Sequence, residues 1–404
     1  MRNRYNYKEQ GTITHKVMCA VCFLIFSFLW LYEFQTDILT IAQHVLSQGV
    51  THYNRTVGAI LITIVLYILQ RCIANVTKLS RRSYALTYFP SMLMLAVVSD
   101  INQDIDQHFS FGAWVWVFPF LLLIWGVCVW FARQAMSYSL DDGQYGTVFS
   151  ARKFWLNLLQ MTVMMLGVVL VGNTNAVFHY STHMEVALMN DDVDEALRVG
   201  NRSLETNERL TMLRAYALSK KGKLADGLFD YPVKGTSETL LPMQLKPQLL
   251  PEDSIWKHLG ARCAKTVNSE FYYERMERDT LGTSAMADYR LCGYLMNRDL
   301  NSFVRVLPRY YEVSDSVALP RHYKEALVLY QHLTAHPLIV YHDAVLAEDW
   351  NNLQQLKVKY SKEPERRYRI FDNYQKSYWY YYYLPLYSFL FFWGLMPISL
   401  IASS

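Results

Sequence analysis

The chain has 404 residues, of which 52% are hydrophobic, 15% aromatic and only 18% charged, with a net charge of +4. A balance so close to neutral excludes a nucleic-acid partner, which needs a strongly basic face. So apolar a composition, gathered into long blocks, excludes an ordinary water-soluble enzyme and points to a lipid bilayer.

In chain order the apolar blocks are Val17–Tyr32, Val57–Leu69, Tyr84–Val98, Ala113–Ala132, Phe154–Val171 and Tyr378–Ile401. A helix needs roughly 20 apolar residues to cross a hydrocarbon core of about 30 Å, so with their neutral flanks the six blocks predict six spans. They divide the chain into a membrane domain over 1–173, a soluble segment over 174–376 and a last span over 377–404. The fold class expected is all-α: about six transmembrane helices plus a helical extracytoplasmic domain.

Basic residues set the orientation. With the N-terminus in the cytoplasm, Arg2, Arg4, Lys8, Lys16, Arg71, Lys78, Arg81, Arg82, Arg133, Arg152 and Lys153 fall on the cytoplasmic side, and only Arg55 on the other. Both termini are then cytoplasmic, and 174–376 lies outside. After the first block the chain reads Tyr32-Glu33-Phe34-Gln35 with no small-x-small cleavage site, so the block is read as an uncleaved anchor. Trp114, Trp116, Trp125 and Trp130, and the run Tyr378 to Tyr383, suit the headgroup region. Pro90 in the short third block leaves a re-entrant segment as the alternative there.

The outer loops hold the candidate chemistry. Glu33 and Asp37 follow the first block, and Ser99 to His108 contains Asp100, Asp104, Asp106 and His108. In a helix Asp100, Asp104 and His108 would share one face, as metal ligands or a base do. The bland reading is a solvated acidic loop. Glu33 and Asp37 also resemble the outer-loop acids of membrane-embedded transferases that use polyprenyl-linked sugars, which implies Glu33, Asp37, Asp100, Asp104 and Asp106 as catalytic candidates acting on a lipid-linked substrate. No phosphate-binding loop, zinc motif or nucleophile elbow is present, and no cofactor is expected. The six blocks contain no Asp, Glu, Lys or Arg, against the mid-membrane charges of an ion-coupled transporter.

From Gly172 to Lys376 basic and acidic residues balance, 27 of each. Leu188-Met189-Asn190-Asp191-Asp192 and Leu295-Met296-Asn297-Arg298-Asp299 share a pattern, which Leu218 to Asp226 and Leu346 to Leu353 extend. Each predicts a helix, a tight polar turn and a second helix, with Ala196, Gly227, Phe303 and Leu353 packing the pair. These segments resemble degenerate tetratricopeptide-type repeats, clearest at Ala215-Tyr216-Ala217-Leu218 and Gly222-Lys223-Leu224-Ala225. The resemblance implies a surface that binds another envelope protein, with Tyr216, Tyr289, Phe303 and Trp350 as binding residues or, on the more ordinary reading, core. Four prolines between Asp230 and Asp253 forbid a helix there. The leucines between them must pack across the repeats or lie on the membrane. Cys263 and Cys292 lie outside, where a disulfide is permitted.

The whole chain is similar to an uncharacterised family of bacterial multi-pass inner-membrane proteins with a tetratricopeptide-like periplasmic domain, on the block layout, the stretch from Ala42 to Arg55, and Ser110-Phe111-Gly112-Ala113-Trp114. That resemblance implies a bacterial inner-membrane location and brings no activity with it.

Overall fold

A computed structural model describes residues 2–79, 82–101, 105, 112–138, 147–262, 268–314 and 317–383. Among these residues every regular element is helical. The chain divides into two compact units, Met1–Asn175 and Ala176–Ser404.

The first unit contains α1 (Arg2–Leu29), α2 (Thr36–Leu46), α3 (Arg55–Thr77), α4 (Phe89–Ser99), α5 (Trp114–Tyr138) and α6 (Thr147–Val171). Among the described residues four stretches are long and apolar enough to cross a membrane, His15–Phe34, Arg55–Thr77, Trp114–Gln134 and Lys153–Val171; the sixth predicted block lies outside the described residues beyond Tyr383. Their outward faces carry exposed apolar side chains such as Ile64, Phe120 and Leu170, which is the surface a bilayer covers.

The third block is a shorter apolar helix, Tyr84–Ser99, which starts as a 3-10 turn and continues as α4 with Pro90 in its first turn. There the missing N–H costs nothing. It is buried on nearly every side because it lies in the centre of the bundle. At one end Lys16 lies 5.7 Å from the Tyr84 ring, Gln70 donates to Thr87 at 2.9 Å, and Asn157 accepts from the Ala85 N–H at 2.8 Å. At the other end Trp30 donates to Ser99 Oγ at 2.8 Å and the Asn173 N–H to the Ser99 carbonyl at 3.0 Å. So α1 and α6 run parallel to α4. The Ser91 to Leu66 bond makes α3 antiparallel, as do the Trp125 to Leu86 and Trp114 to Asp100 bonds for α5. Lys16, Arg71, Arg82 and Lys153 thereby gather near the Tyr84 end, while Arg55 pairs with Glu33 near the Trp30 end.

The second unit contains α7 (Ala176–Met189), α8 (Val193–Arg198), α9 (Glu208–Lys220), α10 (Leu224–Gly227), α11 (Glu252–Leu259), α12 (Ser269–Arg278), α13 (Ser284–Met296), α14 (Leu300–Val306), α15 (Arg321–Leu333), α16 (Ala344–Lys359), α17 (Glu363–Tyr374) and α18 (Tyr378–Tyr383). Three of its hairpins turn in the same way. Asp191, Gly222 and Arg298 are left-handed. The next residue in each donates back across six residues: Asp192 to Ala187, Lys223 to Leu218 and Asp299 to Tyr294, at 2.8–2.9 Å. This is the Schellman closure. Asp192 and Asp299 then cap the following helix by accepting from the Glu195 and Ser302 N–H groups. Ala196 and Phe303 are fully buried in the hairpins so formed.

The fourth expected hairpin is absent. Leu346 to Leu353 lies inside one unbroken helix, α16. Ala, Glu, Asp and Trp all continue a helix without strain. Asp343 fixes its start by accepting from the Val345 and Leu346 N–H groups, and Trp350 and Leu353 are buried on its inner face.

The proline-rich segment is covered by the unit's own helices. Leu240, Leu241, Leu249 and Leu250 are buried, and a 3-10 turn at Ser237–Leu240 packs on α9 and α13. Gly260 ends α11 with φ +143, and a Cβ there would meet the Leu281 carbonyl at 2.3 Å. Gly260→Ala is therefore expected to destabilise by about 1–3 kcal/mol, read as a lowered thermal midpoint of the detergent-solubilised protein.

Candidate functional site

Of the carboxylates in the predicted outer loops, Glu33, Asp37 and Asp100 lie among the described residues of the first unit. Glu33 sits in a π-helical turn, Trp30–Phe34, and binds Arg55 at 2.8 Å. Arg55 also donates to the Tyr32 carbonyl at 2.7 Å and covers the Tyr32 ring at 4.0 Å. Asp37 lies in the first turn of α2, where a carboxylate offsets the positive helix end. Asp100 follows the last residue of α4 and accepts from the Trp114 indole at 2.7 Å. Asp104, Asp106 and His108 lie outside the described residues, as does Cys263. The segments that carry Glu33 and Asp100 do meet: Trp30 holds Ser99, and the Asn173 side chain donates to the Ile101 carbonyl at 2.8 Å.

Tyr216, Tyr289, Phe303 and Trp350 all pack in the core of the second unit. Trp350 stacks on His332 with centroids 4.9 Å apart, and Tyr216 meets His258 edge-on. Cys292 is buried beside the Tyr323 hydroxyl, 3.7 Å away. None of the four aromatic residues offers a partner more than an edge.

A polar cleft of about 480 Å3 opens instead between the Ser237–Leu240 turn, α12, α13 and α14. Its floor is organised by Arg290, which is buried. The guanidinium pairs with Glu270 and, at 2.9 Å, with Glu277. It also donates to the hydroxyls of Tyr294 and Tyr310 at 3.1 and 3.2 Å. Burial works against this charge, but Glu270 and the two tyrosines outweigh it and hold the guanidinium above its ordinary value. Across the cleft the Asn297 amide clasps Ser237 through two bonds of 2.9 Å, and Glu238 accepts from the N–H and hydroxyl of Ser269. A second hollow of about 720 Å3 shares Ser237, Glu238 and Asn297 and extends toward Lys234 and Tyr381.

Tyr273 also lines the cleft. Its hydroxyl is buried and has no protein partner, and burial keeps it protonated by raising its pKa well above the usual phenol value. A buried, unmatched donor costs about 1–3 kcal/mol until something accepts from it. Sequence reasoning missed this cleft because its residues come from four separate stretches. The only local sign is the polar edge of an otherwise apolar hairpin at Asn297.

Burial pushes the Glu277 carboxyl up, but the Tyr310 hydroxyl and Arg290 pull it further down, so it ends below its ordinary 4.5. A folded-state value below the unfolded one stabilises fully above the unfolded pKa, and the contribution is lost as pH falls through the folded value. The thermal midpoint of the wild type should therefore exceed that of Glu277→Gln at about pH 7 and converge on it toward about pH 3. A gap that persists in acid contradicts the assignment.

The architecture defines the class: an all-helical protein with membrane-length helices in one unit and a separate, cleft-bearing helical unit after them. Residues 282–385, from just before α13 to just past α18, match a family of unknown function (DUF6057). No curated protein and no solved structure matches the chain.

Proposed function

We propose that this chain is an integral membrane protein of a bacterial inner membrane that holds its second unit on the periplasmic side, where the Arg290 cleft binds an extended segment of another envelope protein. The observation that carries this reading is the cleft itself. Its walls bring the Arg290 charge cluster and the Ser237–Asn297 clasp together beside a second hollow, and a polar groove of this kind offers hydrogen-bond partners to the backbone of an extended chain. The three matching hairpins support a degenerate tetratricopeptide-like stack, an architecture whose surfaces bind polypeptide segments, by analogy of fold. The orientation rests on the basic residues gathered near the Tyr84 end of the first unit.

The test is photo-crosslinking in native membranes from position 302, in α14 on the cleft wall, followed by mass spectrometry. One envelope polypeptide captured there, and lost with Asn297→Ala combined with Arg305→Ala on the cleft wall, is the expected result. A purified protein that carries a polyprenyl-linked sugar and no polypeptide would overturn it. That outcome favours a second reading, a transferase acting on a lipid-linked substrate at the outer leaflet. It is supported by the meeting of the Glu33 and Asp100 segments, and it requires Asp37→Asn and Asp100→Asn to abolish activity without loss of protein.

A further inference from the structure

The end of the second unit from which the last apolar block departs has an unusual surface. α18 lies beside α15 and runs in the same direction: the Tyr378 N–H donates to Glu325 at 2.7 Å, and five residues on Tyr383 lies 6.4 Å from Trp350, which is itself stacked on His332 near the end of α15. Beyond Tyr383 the sequence from Leu384 to Ile401 has no charged residue.

Around Tyr383 the unit exposes apolar side chains it does not cover. Val358 is 84% exposed, and Leu333 and Tyr383 are exposed as well. The Lys357 ammonium sits 3.6 Å over the Tyr383 ring. Lys359 and Arg369 both approach the Tyr360 ring, at 5.7 and 5.6 Å. Arg366 is close enough to Lys357 that, after burial, its charge helps push the Lys357 pKa down. Among the described residues none of Lys357, Lys359, Arg366 and Arg369 is in an ion pair, whereas Arg367 on the same helix binds Glu363. Four uncompensated cations in so short a stretch repel one another, and exposed apolar groups among them gain nothing from water.

We infer that this edge is a bilayer contact: Lys357, Lys359, Arg366 and Arg369 bind anionic lipid headgroups while Val358, Leu333 and Tyr383 enter the interface. The combination of cations with apolar and aromatic side chains is what an anionic bilayer surface rewards. The occupant follows from chain connectivity, since the uncharged stretch from Leu384 to Ile401 continues the chain directly from Tyr383 at this edge. The inference rests on the reading of that block as a span.

The experiment places a genetically encoded fluorescent amino acid at position 358 or at position 390 of the full-length protein. The protein is reconstituted in phosphatidylcholine vesicles with or without phosphatidylglycerol, and a headgroup-attached or chain-attached quencher is added. The expected result is quenching at 390 from the chain depth in both bilayers. At 358, quenching from the headgroup depth should be about twofold stronger with phosphatidylglycerol and lost in Lys359→Glu with Arg366→Glu. Quenching at 390 but not at 358 overturns the contact and leaves the span standing. No quenching at 390 removes the span, and the contact falls with it.

Discussion

Trp379→Ala is expected to unfold the second unit at ordinary temperatures, with a loss of about 3–5 kcal/mol. The indole is 2% exposed. Its N–H donates to the Glu325 carbonyl at 2.7 Å, and its ring packs edge-on against Trp350 at 5.3 Å. Truncation removes one of the largest buried side chains in the unit and leaves a cavity between α15, α16 and α18. It also frees a carbonyl in a helix already bound through its side chain: Glu325 accepts from the Tyr378 N–H and lies against His322 at 2.9 Å. The check is thermal unfolding of the detergent-solubilised protein followed by near-ultraviolet circular dichroism. A headgroup anchor, the role the aromatic run suggests in sequence, would respond differently. It would leave the midpoint nearly unchanged and alter only lipid dependence.

The second large effect is expected at Glu185. This carboxylate in α7 is fully buried, and one oxygen accepts from three consecutive N–H groups, those of Gln248 at 2.8 Å, Leu249, and Leu250 at 3.0 Å. Burial pushes its pKa up, against the three N–H bonds and Arg209. Glu185→Ala strands those donors. At about 1–3 kcal/mol for each unsatisfied group, the loss is of order 3 kcal/mol or more, and the proline-rich segment should detach before the rest of the unit. Hydrogen exchange at Gln248 to Leu250 reads this directly. Glu185→Gln keeps an acceptor oxygen and should retain most of the protection. Equal loss in both variants would show that charge, not the acceptor, holds the segment.

Parts of this fold are visible in the sequence because their causes are local. The Asn-Asp-Asp and Asn-Arg-Asp turns close as expected: the left-handed residue and the aspartate cap act within six residues of each other. The same local logic fails at Leu346 to Leu353. A polar Glu-Asp pair resembles a turn on paper, but nothing in it disfavours helix, and burial of Trp350 and Leu353 rewards continuity. The aromatic run at Tyr378 is a similar case. Its composition suits an interface, and only tertiary packing takes the first two rings out of solvent: Tyr378 against Phe229 and the Leu295 carbonyl of α13, Trp379 between α15 and α16. The candidate binding aromatics Tyr216, Tyr289, Phe303 and Trp350 are core for the same reason, while the cleft is made of neighbours that look unremarkable in the chain.

Sequence alone determines that the chain carries helices long and apolar enough to cross a membrane, followed by a charge-balanced helical unit, because spanning length, charge placement and helix caps are each written in contiguous residues. Tertiary structure alone decides which polar groups meet. Arg290 gathers Glu270, Glu277, Tyr294 and Tyr310, Glu185 reaches residues more than 60 positions away, and Tyr273 is left without a partner. Such meetings depend on how helices pack around a shared core, and hydrophobic periodicity specifies which face is buried but not which distant side chain it will find there.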